Sequence, residues 1–245
     1  MNLQPWQWAV AAIGALMVGL SKTGIPGLSL LFVAIFANVL PTKQASGIVL
    51  PLLIVGDLVA VASYRRHAQW GHLWRLFPWT AAGVVIGYAA MAHLGDRQIR
   101  VMVGAMILGM VGLHLARRRG RVAADGGAHP WWFGPAIGIL AGFATLVANA
   151  AGPLMVIYLL AMRLPKLEYV GTGAVFFMLL NLFKIPFMAG LGLVTPASLE
   201  LNLVLAPLVV AGGLAGRKVL ARIDQKHFEN LMLGLTVAAG LKLLF

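Results

Sequence analysis

The stretch Gly19-Leu20-Ser21-Lys22-Thr23-Gly24-Ile25-Pro26-Gly27-Leu28-Ser29 breaks an otherwise apolar region in two, and that break limits what the chain can fold into. The flanking runs, Trp6–Leu20 and Ile25–Leu40, each have about 15 residues, so as helices each is about 22 Å long. A bilayer core is about 30 Å thick and wants about 20 residues. Two short runs joined by a polar, Gly/Pro-rich break describe a discontinuous or re-entrant helix pair. Such backbone survives at membrane depth only where it is buried in protein or lines a cavity. The rest of the chain agrees with a membrane setting: 60% of its 245 residues are hydrophobic and 11% charged, against about 25% charged in soluble domains. The expected fold class is an all-α polytopic membrane protein forming one integral domain.

The break has directional chemistry. Pro26 suits the first position of a helix, where its missing N–H costs nothing. The second run then begins at the break and aims its free N–H groups into it, and that end of a helix attracts anions. Ser21, Thr23 and Ser29 add hydroxyl donors, and Lys22 adds a full positive charge. Two readings stand: an anion site inside the membrane, or a surface loop whose lysine snorkels to water.

Composition narrows the function classes. The net charge of +12 comes from 19 Lys and Arg gathered between apolar runs, where they set topology rather than bind nucleic acid. There is no cysteine, which excludes disulfides, thiolate catalysis, iron–sulfur clusters and c-type haem attachment. The six histidines are scattered without metal-ligand spacing, so no metal or cofactor is expected. No positive residue precedes the first apolar run, which reads as retained rather than as a signal peptide.

Ten apolar segments fall at about 6–20, 26–40, 45–63, 74–93, 99–116, 133–149, 153–162, 169–189, 199–217 and 228–245. The polar stretch Arg117–His129 separates two halves: a first repeat over 1–116, a linker over 117–130 and a second repeat over 131–245. A shift of 124 residues lays Leu40-Pro41 on Leu164-Pro165, Gly47 on Gly171 and Asp57 on Asn181. With a small later insertion, Gly83 and Gly87 meet Gly212 and Gly216, and Asp96 falls near Asp224. The break recurs as Asn149-Ala150-Ala151-Gly152-Pro153, with Pro153 again suited to start a helix. Charge separates inverted from parallel repeats. Apart from Lys22 and Lys184, the inverted arrangement leaves only Lys43, Arg97, Arg100 and Lys242 on one side and gathers the rest, from Arg65 to Lys226, on the other. Cytoplasmic loops collect Lys and Arg. The expectation is therefore two inverted repeats of about five segments, each opening with a broken or re-entrant pair, with both termini outside and a cytoplasmic linker. Inverted repeats with interrupted helices are a transporter pattern, with substrate near the midplane.

With these motifs the chain resembles the sulfite exporter TauE/SafE family of membrane permeases. The carriers are Gly19–Gly27, Pro41-Thr42-Lys43-Gln44-Ala45, Leu50–Asp57 with Tyr64-Arg65-Arg66-His67, Ala151-Gly152-Pro153-Leu154 and Leu180–Pro186. The resemblance spans nearly the whole chain. It implies a multi-pass carrier of small sulfur-containing anions, such as sulfite or organosulfonates, in the inner (plasma) membrane and usually directed outward. One departure stands out: the family's first break usually holds more consecutive glycines, where this chain has Ile25-Pro26-Gly27.

The substrate-binding candidates are Ser21, Lys22, Thr23, Gly24, Gly27, Asn149, Ala151 and Gly152. Asp57, Asn181 and Lys184 are candidates for coupling or gating. Asp57 is an intramembrane carboxylate, suited to a coupling proton or to a basic partner, with Arg65 and Arg66 nearby in sequence. Lys184, beside Pro186, either attracts the anion or snorkels. Asn149 either donates its amide to an oxyanion or caps a helix C-terminus. Trp70, Trp74, Trp79, Trp131 and Trp132 read as interface anchors, and Gly83, Gly87, Gly212 and Gly216 as close helix contacts. No nucleophile–base pair, acid pair or nucleotide-binding motif is present, so an enzyme is not expected. The partners expected are a small anionic substrate and the bilayer, with no nucleic acid; self-association stays open. The alternatives to a carrier are a passive anion channel and a non-transporting assembly factor.

Overall fold

The computed structural model describes residues 4–29, 32, 35–36, 42–91, 93, 95–118 and 130–244. Among them are nine α-helices and no strand: α1 (Pro5–Thr23), α2 (Thr42–Tyr64), α3 (Trp70–Met91), α4 (Asp96–Arg118), α5 (Phe133–Ala148), α6 (Ala151–Ala161), α7 (Lys166–Gly190), α8 (Pro196–Arg222) and α9 (Gln225–Leu244). Two 3-10 turns, Pro26–Leu28 and Arg65–His67, complete the set. Most of the expected segment 26–40 lies outside the described residues. Within it Ser29, Phe32, Ile35 and Phe36 are helical. Residues 119–129 of the expected linker also lie outside.

Local chemistry explains the helix ends. Pro5 and Pro196 open α1 and α8 at the position where proline is cheapest, each beside a reciprocal capping pair: Gln4 with Gln7, and Thr195 with Ser198. Asn149 ends α5 by turning left-handed, with φ of 50°, and the Ala150 N–H reaches back to the Ala144 carbonyl at 3.1 Å. That tight turn lets α6 start at Ala151. Pro153 therefore sits at the third helical position, not the first as the sequence suggested; the early N–H groups of a helix have no intrahelical partner anyway.

Among the described residues three stretches are long and apolar enough to cross a bilayer: Gly47–His67, Lys166–Gly190 and Ser198–Arg222. By contrast α5 and α6 have 16 and 11 residues, too short singly to span, as expected of a broken pair. Trp70, Trp74, Trp79, Trp131 and Trp132 are all exposed.

The two most extensive interfaces are α3 on α5 and α1 on α8. Both are built by glycine against backbone. Gly83 meets the Ile139 carbonyl and Gly142 that of Thr80, while Gly19 meets the Val209 carbonyl and Gly212 that of Leu16. A methyl group at any of these four would collide with backbone, so glycine is what permits the approach. Exchanging α1 with α5, α2 with α7, α3 with α8 and α4 with α9 turns one interface into the other. It also maps the α2–α7 and α4–α9 interfaces onto themselves. The pattern Pro78–Gly83–Gly87 in α3 recurs at the same spacing as Pro207–Gly212–Gly216 in α8.

Two buried cores result. One gathers side chains of α1, α2 and α8 with Phe32 and Phe36; the other is drawn mainly from α3 to α7 and α9. The seam between them, where α2 meets α7, holds the buried charges.

Candidate anion site

Helix α1 stops at Thr23 because Gly24 and Ile25 both turn back to the Leu20 carbonyl, at 2.9 and 3.2 Å, and Pro26 has no N–H to continue the ladder. Lys22 is thus fixed in the last turn. Its stem passes Gly56, where a β-carbon would lie 3.0 Å from Lys22 Cγ. Its ammonium reaches Asp57 Oδ1 at 2.7 Å and lies 4.6 Å from the centroid of the Phe177 ring. The other carboxylate oxygen accepts from Asn181 Nδ2 at 2.6 Å. Asp57 is fully buried and Lys22 retains one-tenth exposure. The carboxylate's partner is therefore Lys22 and not Arg65 or Arg66, which sit exposed on the turn after α2.

Lys184 is fully buried and reaches no surface, so it does not snorkel. Its ammonium contacts the Thr145 carbonyl at 3.2 Å, Thr145 Oγ1 at 3.1 Å and Asn149 Oδ1 at 2.6 Å. These are three acceptors for an ammonium's three donors. Among the described residues no carboxylate pairs with it, so its hydrogen bonds are met by neutral oxygens. Counted as two ammoniums and one carboxylate, the cluster Lys22–Asp57–Lys184 carries a formal charge of +1.

Beside this cluster lies a cavity of about 40 Å³. One water needs about 10–15 Å³ of such space, so a few waters or a small polyatomic anion can occupy it. Its polar lining comes from Ser21, Lys22, Ser29, Thr145, Asn149, Tyr169 and Asn181, and its apolar wall includes Phe32, Leu53, Met155, Leu159 and Phe177. Both breaks contribute. Gly152 packs directly against Ser29 Oγ, with the Pro26 carbonyl 3.8 Å from where its β-carbon would be. The two breaks thus meet.

Of the candidates read from sequence, Ser21, Lys22, Asn149, Gly152 and Asn181 line the cavity. Asp57 and Lys184 stand behind them. Thr23, Gly24, Gly27 and Ala151 are not in the lining. The Thr23 hydroxyl reaches the carbonyls of Gly213 at 2.6 Å and Gly19 at 3.1 Å. Gly24 abuts the Gly216 backbone, and the Gly27 N–H points at Met232 Sδ, 3.4 Å away. Thr23 and Gly24 thus face helix α8, and Gly27 faces α9. Asn149 is a helix C-cap as well as a cavity residue. Thr145, Tyr169 and Phe177 escaped the sequence reading. The spacing Tyr169–Gly173–Phe177–Asn181 marks one face of a helix, and the small Gly173 in mid-stripe was the available signal for Tyr169 and Phe177.

Among the described residues no cluster of His, Asp or Glu is arranged to hold a metal. Comparison with curated proteins and with solved structures gave no significant match. A sequence model described as Sulfite exporter TauE/SafE matches residues 10–243, and its members are membrane transporters rather than enzymes. The match takes in both breaks, the buried lysines and all or most of each described helix: the chain belongs to the sulfite exporter TauE/SafE family.

Proposed function

We propose that the protein is a secondary carrier moving small sulfur-containing anions, sulfite or organosulfonates, outward across the inner membrane. The observation that carries this reading is the convergence of both helix breaks on a cavity beside two buried lysines and a single carboxylate. A charge at membrane depth is costly and marks a function by default, and an anion supplies the missing counter-charge. The start of α6 adds its N-terminal dipole, worth about half an elementary charge.

Asp57 and Asn181 serve as the gate. Asp57 holds Lys22 when the site is empty, and an entering anion competes for the same ammonium. Release follows when the carboxylate reclaims it. Energetics favour the outward direction: one charge moved through 100 mV is worth about 2.3 kcal/mol, so an inside-negative membrane expels anions without a coupling ion.

Two inverted repeats, over 1–116 and 131–245, are the frame of this reading, supported by the exchange pattern of the helix interfaces. Single cysteines at Arg119 and Lys218 then label only from the cytoplasm and one at Thr195 only from outside, on a chain with no native cysteine. Labelling of Arg119 and Thr195 from one side contradicts the inversion. The function itself is tested by flux of sulfite, sulfoacetate, thiosulfate and sulfate in proteoliposomes under an imposed potential. The reading expects potential-driven flux of at least one sulfur anion, and no flux of any of the four overturns it.

A further inference from the structure

Two buried hydroxyls in the cavity have no hydrogen-bond partner among the described residues: Ser29 Oγ and Tyr169 OH. Tyr169 is 1% exposed and Ser29 8%. Buried hydroxyls are nearly always partnered, and leaving one unmade costs about 1–3 kcal/mol, so two in one cavity call for an explanation. Other polar groups of the lining are engaged: Lys22 by Asp57, Asn181 by Asp57, and Thr145 and Asn149 by Lys184. Neither orphan is a packing accident. The Tyr169 ring is held edge-on by Phe228 at 5.0 Å, and Ser29 is pressed against Gly152.

Resting on the anion-carrier reading, we infer that these two hydroxyls are donors to the transported anion, at two successive places. Ser29 lies where the breaks meet and completes the central site beside Lys22. Tyr169 forms a second station toward the N-terminal end of α7. Eight residues of α7, about 12 Å of rise, separate it from Phe177, over whose ring Lys22 sits. Between them the wall is Met155, Leu159, Val170 and Ala174, which offers a dehydrated oxyanion nothing. That end of α7 is the cytoplasmic one in the inverted arrangement, so a phenol there holds an outward-moving anion before it reaches Lys22. An oxyanion brings acceptors only, which is what two unengaged donors require.

The test uses the full chain in proteoliposomes with sulfite as probe, alongside the thermal midpoint of the purified protein. Tyr169→Phe removes one oxygen and keeps the ring. It lowers the maximal sulfite rate about tenfold with KM little changed, whereas Ser29→Ala raises KM about tenfold. Because Tyr169→Phe deletes an unsatisfied buried group, its Tm equals or exceeds the parent's. Lower transport with undiminished stability is a signature that a purely structural hydroxyl does not give. Parental sulfite kinetics in Tyr169→Phe overturn the inference, as does a loss of rate that tracks a fallen Tm. A parent that neither moves sulfite nor gains Tm on adding it overturns the carrier reading for sulfite, and this inference with it.

Discussion

The two helix breaks meet in one cavity but handle charge differently. At the first, the lysine comes from the broken helix itself and is answered by a carboxylate, Lys22 to Asp57 at 2.7 Å. At the second, the lysine comes from α7 and is answered by neutral oxygens of Thr145 and Asn149. The contrast traces to one pair of positions that the proposed repeat brings into correspondence: α2 has Asp57 where α7 has Asn181, and the two touch across the seam at 2.6 Å. Had both been acids, two carboxylates would face two lysines and the site would be neutral. In the proposed repeat, it is the departure from symmetry at this position that leaves a charge suited to an anion.

The harshest way to break the comparison is at its paired side. Lys22→Ala strands a fully buried Asp57, and removing one partner of a buried ion pair costs about 3–5 kcal/mol. Thermal unfolding should show a large fall in Tm, and flux normalised to folded protein should drop at least tenfold, about 1.4 kcal/mol. The double variant Lys22→Ala/Asp57→Asn should recover the Tm but not the flux. Recovery of both would mean that the lysine serves only the fold.

At the neutral side, Lys184→Met leaves no stranded charge, so its stability cost is smaller than that of Lys22→Ala. It still removes the excess positive charge, and sulfite affinity should fall about tenfold. Unchanged affinity would locate the useful charge in Lys22 alone. Asp57→Asn acts in the opposite sense: it unmasks Lys22, so the anion should bind more tightly while turnover slows. Faster turnover would contradict the gating role of the carboxylate.

The smallest effect lies outside the centre, where no asymmetry of charge is at stake. Asp224 accepts from the His227 backbone N–H at 2.8 Å and caps α9. That hydrogen bond, with one from the His227 ring, holds its carboxyl below the usual carboxylate range. A depressed folded value means that the contribution is present above the unfolded value and fades as pH falls through the folded one. Asp224→Ala should therefore lower Tm slightly at neutral pH and not at all in strong acid, with flux unchanged.

Much of this was legible in the sequence. Short apolar runs around Lys22 and Asn149 announced the broken pairs, and Gly83 and Gly212 announced close helix contacts because a small residue at a fixed offset has few other uses. The partners of the charges were not legible. Asp57 stands eight residues from Arg65 in sequence but is buried on the face turned to α1, and only tertiary packing selects Lys22. Lys184 reads either as an attractor of the anion or as a snorkelling lysine from its place in an apolar run, yet α5 and its cap Asn149 supply three oxygens to it. Tyr169 carries no signal of its own, because an orphaned hydroxyl is a property of surroundings.

The central claim is that an anion sits between the two breaks, in contact with Lys22. The most direct test is a structure of the protein with selenite, a heavier analogue of sulfite, located by the anomalous signal of selenium. The account predicts one selenium peak in the cavity, with an oxygen within hydrogen-bonding distance of Lys22 Nζ and of Ser29 Oγ, and the Lys22–Asp57 contact lengthened. A fully occupied selenite bound elsewhere, with Lys22 still on Asp57 and the cavity unchanged, would contradict it.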